Sequence, residues 1–209
     1  MSSVLVIRKE SDQVALEERE AKRTEQVFEF KVQLRGVKPP IWRRIQVPES
    51  YSFWDLHCAI QDAMGWMDSH LHQFEVLGPD RRRKEFIGIP DPDGWRSVRA
   101  GWSTKVRRFM RKAGDSAEYL YDFGDGWEHT VRLQKVLPRD PDATYPRCVA
   151  GRRACPPEDC GGIWGYQDIV AGESEFQEEY EDFDPESFHP SDVIFDDPKV
   201  RLEWRERWM

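Results

Sequence analysis

Carboxylates and an imidazole are crowded into one short segment, residues 119–129, and a second acidic pair precedes two glycines in residues 158–162. Such groups can bind a divalent metal ion or act as general acid and base. Asp-Gly pairs are also ordinary turn chemistry, in which the aspartate side chain bonds its own backbone. Both interpretations stay open, and the candidate catalytic residues, as metal ligands, bases or acid–base partners, are Asp122, Asp125, His129, Glu158, Asp159 and His72.

Two histidines, His70 and His72, open a predicted strand. Because side chains alternate along a strand, residues two apart lie on the same face, where two imidazoles can ligate one metal ion. Two ligands do not complete a site, so a structural or surface role for this pair is the alternative.

Three of the four cysteines are clustered, at Cys148, Cys155 and Cys160. Zinc sites usually use cysteine pairs two to four residues apart, a spacing that only the last interval approaches. A zinc ion here would need a fourth ligand, for which His129 and His72 are the candidates. Free buried thiols are the alternative, since a reducing compartment keeps cysteines unpaired.

Charge is distributed unevenly along the chain. Residues 81–112 carry eleven Lys and Arg against three acids, whereas residues 171–200 carry eleven acids against one lysine. The basic stretch could bind the phosphates of a nucleic acid, with Arg107, Arg108 and Arg111 as candidates, or the acidic tail could fold against it. The net charge of −8 argues against a protein that coats nucleic acid generally. Another protein is the alternative partner.

The sequence lacks the residue patterns of nucleophilic hydrolases and of phosphate-binding loops. No serine or cysteine occupies a nucleophile-elbow context, and the glycines at 124 and 126 lack the lysine and following helix of a phosphate-binding loop.

The polar residues must be positioned by a predicted α+β fold. Alternation predicts strands over residues 27–34 and 41–47, and a capping box at Ser52 opens a helix that Gly65 closes. The order of strand, strand, helix and strand predicts an antiparallel or mixed sheet with a helix on one face, and it is the opening order of a β-grasp-like fold. Further strands are predicted at 71–77, 117–123 and 127–136, a short basic helix at 104–112, and a helical C-terminal region.

Length and composition predict one main domain in the 209 residues. We expect an N-terminal extension over 1–25, the α+β domain over 26–171 and an acidic extension over 172–209. Nine Trp and eleven Phe exclude a largely disordered chain. No apolar run approaches about 18 residues and no secretory signal pattern is present, so we expect a cytoplasmic protein with no membrane partner.

Four motifs, in order along the chain, together resemble the plasmid pRiA4b ORF-three-like family over about residues 27–171, and more weakly through 183–186. They are Pro-Pro-Ile-Trp-Arg-Arg-Ile at 39–45, Gly-Trp at 65–66 with His-Leu-His-Gln-Phe at 70–74, Tyr-Asp-Phe-Gly-Asp-Gly-Trp-Glu-His at 121–129, and Cys-Pro-Pro-Glu-Asp-Cys-Gly-Gly at 155–162 with Gly-Tyr at 165–166. Some members are named as passenger proteins of insertion elements with a resolvase-like label, which implies a link to mobile DNA but no mechanism.

The resemblance also bears on the site. In the family's pattern the Pro-Pro-Glu-Asp and Gly-Gly parts are the signature, while position 160 need not be cysteine. It therefore favours Glu158 and Asp159 over a zinc site. Two hypotheses follow: a non-catalytic binding or interaction module linked to mobile DNA, or a metal-dependent, hydrolase-like enzyme built on the 122–129 hairpin and the 158–159 loop. The cofactor stays undetermined, with a divalent metal or zinc as the options.

Overall fold

The computed structural model describes residues 25–91, 93–94 and 96–207, so the predicted N-terminal extension lies outside the described residues apart from Glu25. The strands are β1 (Gln26–Leu34), β2 (Trp42–Pro48), β3 (His72–Leu77), β4 (Lys84–Gly88), β5 (Val98–Ala100), β6 (Ser116–Tyr121), β7 (Trp127–Pro138) and β8 (Arg147–Arg152). They form one sheet in the order β5-β4-β3-β6-β7-β1-β2-β8.

The sheet is mixed, because β4 and β5 run parallel while every other neighbouring pair is antiparallel. The predicted α+β class is therefore confirmed. Alternation places one side of each central strand in the core, as in β1, where Phe28, Phe30, Val32 and Leu34 are all buried.

The first helix, α1 (Phe53–Met64), covers this buried side of the sheet. Its N-terminus carries the predicted capping box, since the Ser52 side chain accepts from the backbone of Asp55 and the Asp55 carboxylate accepts from the backbone of Ser52. Gly65 ends the helix in the left-handed conformation, with φ of 89°.

Strands β4, β5 and β8 form where the sequence predicts no strand. Their residues are rich in Arg, Lys and Gly and show little alternation, so their order comes from pairing: β4 with β3, β5 with β4, and β8 with β2. The basic helix predicted at 104–112 is also absent from the structure, where 3₁₀ turns at Gly101–Ser103 and Val106–Arg108 replace it. Three apolar residues of this segment, Val106, Phe109 and Met110, are nevertheless buried.

The C-terminal region contains α2 (Gly162–Ala171), two 3₁₀ turns (Gln177–Tyr180 and Pro190–Asp192) and α3 (Pro198–Glu206). It folds back over α1 and β8. The Trp54 indole donates to the Pro198 carbonyl at 2.8 Å, and the Arg201 guanidinium lies 2.5 Å from the Asp62 carboxylate. These contacts anchor the acidic segment on α1. Among the described residues, no helix is both long and apolar enough to cross a bilayer.

Candidate metal centre

Three loops meet at one end of the sheet. They are the connection from α1 to β3 (residues 65–71), the turn between β6 and β7 (122–126) and the loop before α2 (153–161). The Asp122 N–H donates to the Leu71 carbonyl at 3.0 Å, and the Trp66 indole donates to the Pro156 carbonyl at 3.0 Å. A Cβ at Gly162, whose φ is 69°, would lie 2.5 Å from the carbonyl oxygen of Asp125. The second glycine of the pair thus allows the backbones to approach.

This junction brings together one imidazole and two carboxylates, here called the outer cluster: His70, Asp122 and Asp159. The Nε2 atom of His70 lies 2.9 Å from Oδ1 of Asp159 and 3.7 Å from Oδ2 of Asp122. All three ligand atoms lie within 4.8 Å of one another. Neither carboxylate lies where a ring N–H could donate to it, and the buried Nε2 atom has no hydrogen bond. The arrangement matches the donors of a divalent metal ion.

Turn chemistry and site chemistry coexist at Asp122. Its Oδ1 atom accepts from the N–H of Gly124 at 2.8 Å, while Oδ2 faces His70. Both Asp122 and Asp159 have positive φ, 54° and 56°, a conformation that aspartate tolerates better than most residues. One carboxylate oxygen of Asp122 therefore stabilises the turn, while the other is available as a metal ligand.

Glu158 lies beside the outer cluster without joining it. One carboxylate oxygen accepts a very short hydrogen bond from the Tyr121 hydroxyl, and the other lies 3.5 Å from the Ser69 hydroxyl. The Tyr121 hydroxyl also accepts from the Ser69 N–H at 3.0 Å. Burial, together with the nearby Glu158 carboxylate, raises the pKa of Tyr121, so its phenol remains a proton donor to Glu158.

Two predicted histidines face the core instead. His129 is fully buried on β7, and its Nδ1 donates to the Trp127 carbonyl at 3.0 Å, so it cannot take part in an exposed site. Burial lowers its pKa to about 4. His72 is buried on β3 against His57 of α1. With Asp68, these two histidines form a second group of potential ligands, here called the inner cluster.

The prediction that His70 and His72 lie on the same face of a strand is wrong. The strand begins at His72, so His70 lies in the preceding loop, where the two-residue period does not hold. Asp125 is also absent from both groups of converging ligands, although one of its oxygens is buried without a partner.

The cysteines do not form the zinc site considered from the sequence. Within residues 25–91, 93–94 and 96–207, no group of three converging ligand atoms includes a sulfur. Cys148 donates to the Ala150 carbonyl and Cys160 lies near the Gly162 carbonyl. Burial raises the pKa of Cys148 and Cys155, and raises the pKa of Cys160 to about 12, so all three are neutral thiols. Their spacing reflects separate positions on β8 and at the two ends of one loop.

The two clusters include residues that the sequence pattern does not predict as ligands. It pairs His70 with the wrong partner, and it gives His57 and Asp68 no ligand role. The available signal is the spacing of three potential ligands, Asp68, His70 and His72, at every second position of one short connection.

The fold and site together define a class: a mixed-sheet α+β protein whose loop junction gathers an imidazole and two carboxylates. The chain belongs to the plasmid pRiA4b ORF-3-like protein family, whose model matches residues 26–197. It is 37% identical over 144 residues to the uncharacterized protein y4hQ of Sinorhizobium fredii, covering 68% of this chain and 71% of that one. The crystal structure of MM3350 from Methanosarcina mazei Go1, a protein of unknown function, superposes with a TM-score of 0.72 at 43% identity, covering 82% of this chain and 99% of that chain.

Proposed function

We propose that the protein binds a divalent transition-metal ion at the outer cluster and uses it as a metal-dependent, hydrolase-like enzyme. The observation that carries this proposal is the Nε2 atom of His70, which is buried, makes no hydrogen bond and faces two carboxylate oxygens. His70 Nε2 approaches the Asp159 carboxylate at 2.9 Å without hydrogen-bond geometry, and a metal ion between the two groups would give this buried nitrogen a direct partner.

The donor set favours some metals over others. Mg²⁺ and Ca²⁺ prefer oxygen ligands alone, whereas an imidazole with carboxylates suits Mn²⁺, Fe²⁺ or Zn²⁺. Three protein ligands leave coordination positions for water, and Asp159 is 72% exposed, so solvent reaches that side of the site. A metal ion held by His70, Asp122 and Asp159 would supply Lewis-acid chemistry, because it would lower the pKa of a water molecule bound to it. Glu158, the neighbour of Asp159, is the proposed acceptor of the water proton.

Replacing Asp122 with asparagine tests the metal site. The Asp122→Asn side chain would keep an oxygen for the turn but lose the ligand charge, so we expect at least about 100-fold weaker binding of Mn²⁺ or Zn²⁺, since even outer partners of ligands are worth about 10–100-fold. Isothermal titration of the full chain measures this. The matched control is Asp140→Asn, because Asp140 also accepts the N–H two residues ahead, in an exposed turn. Equal affinity in both variants, or no stoichiometric binding by the wild type, would contradict the proposal.

The catalytic part of the proposal has its own readout. We expect metal-dependent hydrolysis of a chromogenic ester or phosphodiester by the wild type, and loss of that activity in Glu158→Gln with metal binding retained. Activity that is unchanged in this variant would remove Glu158 from the reaction, and binding without any hydrolysis would reduce the proposal to a metal-binding module.

Nucleic-acid binding is a second candidate function, supported by the basic turn that carries Arg107, Arg108 and Arg111. All three side chains are exposed, so they are accessible to phosphates. Such an interface would serve the non-catalytic binding or interaction module that the uneven charge of the sequence suggests.

The triple change Arg107→Ala, Arg108→Ala and Arg111→Ala tests this interface. We expect wild-type affinity for DNA or RNA to fall as salt rises, and the slope of log K against log salt to become less negative by about 3 in the triple variant, about 0.9 per lost phosphate contact. Gel-shift titrations at several salt concentrations measure both quantities. The control is Arg82→Ala with Arg83→Ala, which removes exposed charges elsewhere in the basic stretch. A wild type that ignores nucleic acid at low salt would exclude this function.

A further inference from the structure

The inner cluster lies under α1, where His57 of the helix, Asp68 of the following loop and His72 of β3 meet. Their ligand atoms lie within 4.8 Å of one another. His57 and His72 are fully or almost fully buried, and the Asp68 side chain is only 5% exposed. Three potential metal ligands from three separate elements thus converge inside the protein, a few residues along the chain from the outer cluster.

His72 has an unusual environment for a buried polar residue. It is 3% exposed, and neither ring nitrogen has a hydrogen-bond partner. Its ring stacks on His57 with centroids 3.4 Å apart and planes inclined by 10°. A neutral imidazole needs one acceptor for its N–H and one donor for its lone pair, so both requirements go unmet in the interior. A metal ion bound to one nitrogen would meet one of them directly.

The buried charge of Asp68 also favours a bound metal ion. Its carboxylate is buried and lies next to His57, with Oδ1 2.8 Å from Nε2. This single contact is the hydrogen bond that the structure shows between the Asp68 carboxylate and a histidine ring. The charges of Arg205 and Arg201 favour the Asp68 carboxylate, but the hydrogen bonds of these guanidiniums go to Asp62, Asp196 and the His70 carbonyl. Burial of a carboxylate is costly, and a dication held by the three residues would compensate its charge by direct contact.

The other ring nitrogen of His57 also has a hydrogen-bond partner, as the second nitrogen of a metal-bound histidine does. Its Nδ1 lies 2.9 Å from the Tyr119 hydroxyl, which itself accepts from the Gln61 amide at 2.9 Å. With Nε2 on a metal, the imidazole proton would sit on Nδ1 and donate to the Tyr119 oxygen, which fixes the ring orientation. Tyr119 is therefore a positioning residue for this ligand.

We propose that the inner cluster binds its own transition-metal dication, of the zinc class, through His57, Asp68 and His72. Two imidazoles and one carboxylate form a donor set typical of Zn²⁺ and Fe²⁺, and they leave at least one coordination position for another ligand. The proposal does not depend on the outer cluster, because the two sites share no ligand. The 68–72 segment serves both, with Asp68 and His72 directed inward and His70 outward.

The test uses the full chain, stripped with a chelator and titrated with Zn²⁺, and with Co²⁺ as a spectroscopic probe. His70→Asn disables the outer cluster while keeping every inner ligand. We expect this variant to bind one equivalent of metal, to show the visible absorption of Co²⁺ in a protein site, and to unfold at a higher temperature with Zn²⁺ than without. Absence of binding by His70→Asn would overturn the proposal.

The partner variants separate this proposal from the proposed function. His72→Asn should lose the inner equivalent and keep the outer one, and Tyr119→Phe, which keeps all ligands, should bind the inner ion about 10–100-fold more weakly. If His72→Asn fails to fold, Tyr119→Phe in the His70→Asn background gives the same comparison. One equivalent lost through His72→Asn but not through His70→Asn would support the inner site and contradict the outer one. If one equivalent is lost only in His70→Asn, the outer site is supported and the inner site is contradicted.

Discussion

Replacing Arg43 with methionine is expected to lower the free energy of unfolding by about 3 kcal/mol or more. Arg43 is 1% exposed, and its guanidinium donates to the carbonyls of Ala63 at 2.7 Å, Trp42 at 3.0 Å and Arg152 at 3.1 Å. Leaving buried acceptors unsatisfied costs about 1–3 kcal/mol each. The ring of Phe188 also covers the guanidinium, at 3.6 Å from its carbon, so a cation–π contact would be lost as well.

Urea unfolding of the full chain measures the effect. Arg44→Met is the matched control, because Arg44 is the next residue, is partly exposed and approaches Glu29 only at 3.9 Å; we expect a loss below about 1 kcal/mol for it. Arg43→Lys keeps the charge but not the three-way geometry, so its stability should lie between those of the wild type and Arg43→Met. An Arg43→Met variant as stable as Arg44→Met would show that the guanidinium contributes little.

Acidification from pH 7 to pH 4 is expected to destabilise the protein through its buried imidazoles. Burial lowers the pKa of His129 to about 4 and lowers the pKa of His57 and His72 well below the usual value. The unfolded chain therefore binds more protons once the pH falls below about 6.5, and stability falls with pH in that window. His129 alone accounts for about 3 kcal/mol between pH 6.5 and 4.

The buried acids act in the opposite sense. Burial raises the pKa of Asp62 and Asp68, so as the pH falls these carboxyls bind protons in the folded state before they do in the unfolded state. Their protonation offsets part of the stability lost through the histidines.

The variant His129→Asn isolates the contribution of one histidine, because it keeps an amide donor for the Trp127 carbonyl and removes the titrating ring. With a chelator present, the drop in unfolding free energy from pH 7 to 4 should be about 3 kcal/mol smaller in this variant. His189→Asn removes an exposed imidazole and should retain the wild-type drop. An unchanged drop in His129→Asn would contradict the assignment.

Local patterns in the sequence predict the centre of the fold but not its edges. The alternation of Phe28 to Leu34 and the capping box at Ser52 are signals carried by neighbouring residues, and both are confirmed. Strand β8 has no such signal, because its order comes from pairing with β2, about a hundred residues away in the chain. Edge strands therefore depend on contacts that a one-dimensional pattern does not contain.

The sequence likewise predicts some residues of the candidate site and misses others. Acidic residues beside glycines are the signal that predicts Asp122 and Asp159, and the structure brings them together with His70. The sequence misplaces His129 because that residue is grouped with the polar turn residues, although on the strand predicted from 127 it lies on the same inward face as Trp127. The inner cluster joins a helix to a strand, so only the packing of α1 on β3 could reveal it.

The interior position of β1, between β7 and β2, affects the synthesis of the chain as well as its folding. β1 pairs with β2 at once, but its other neighbour, β7, is translated only after the whole of α1, β3 and β6. At about 5–20 residues per second, this leaves one edge of β1 unpaired for on the order of 10 s on the ribosome. The apolar faces of β1 and α1 can shelter each other during that interval, whereas the ligand loops at the far end of the sheet cannot assemble until β7 emerges. Nascent chains stalled before residue 138 should therefore engage chaperones, and complete ones should not.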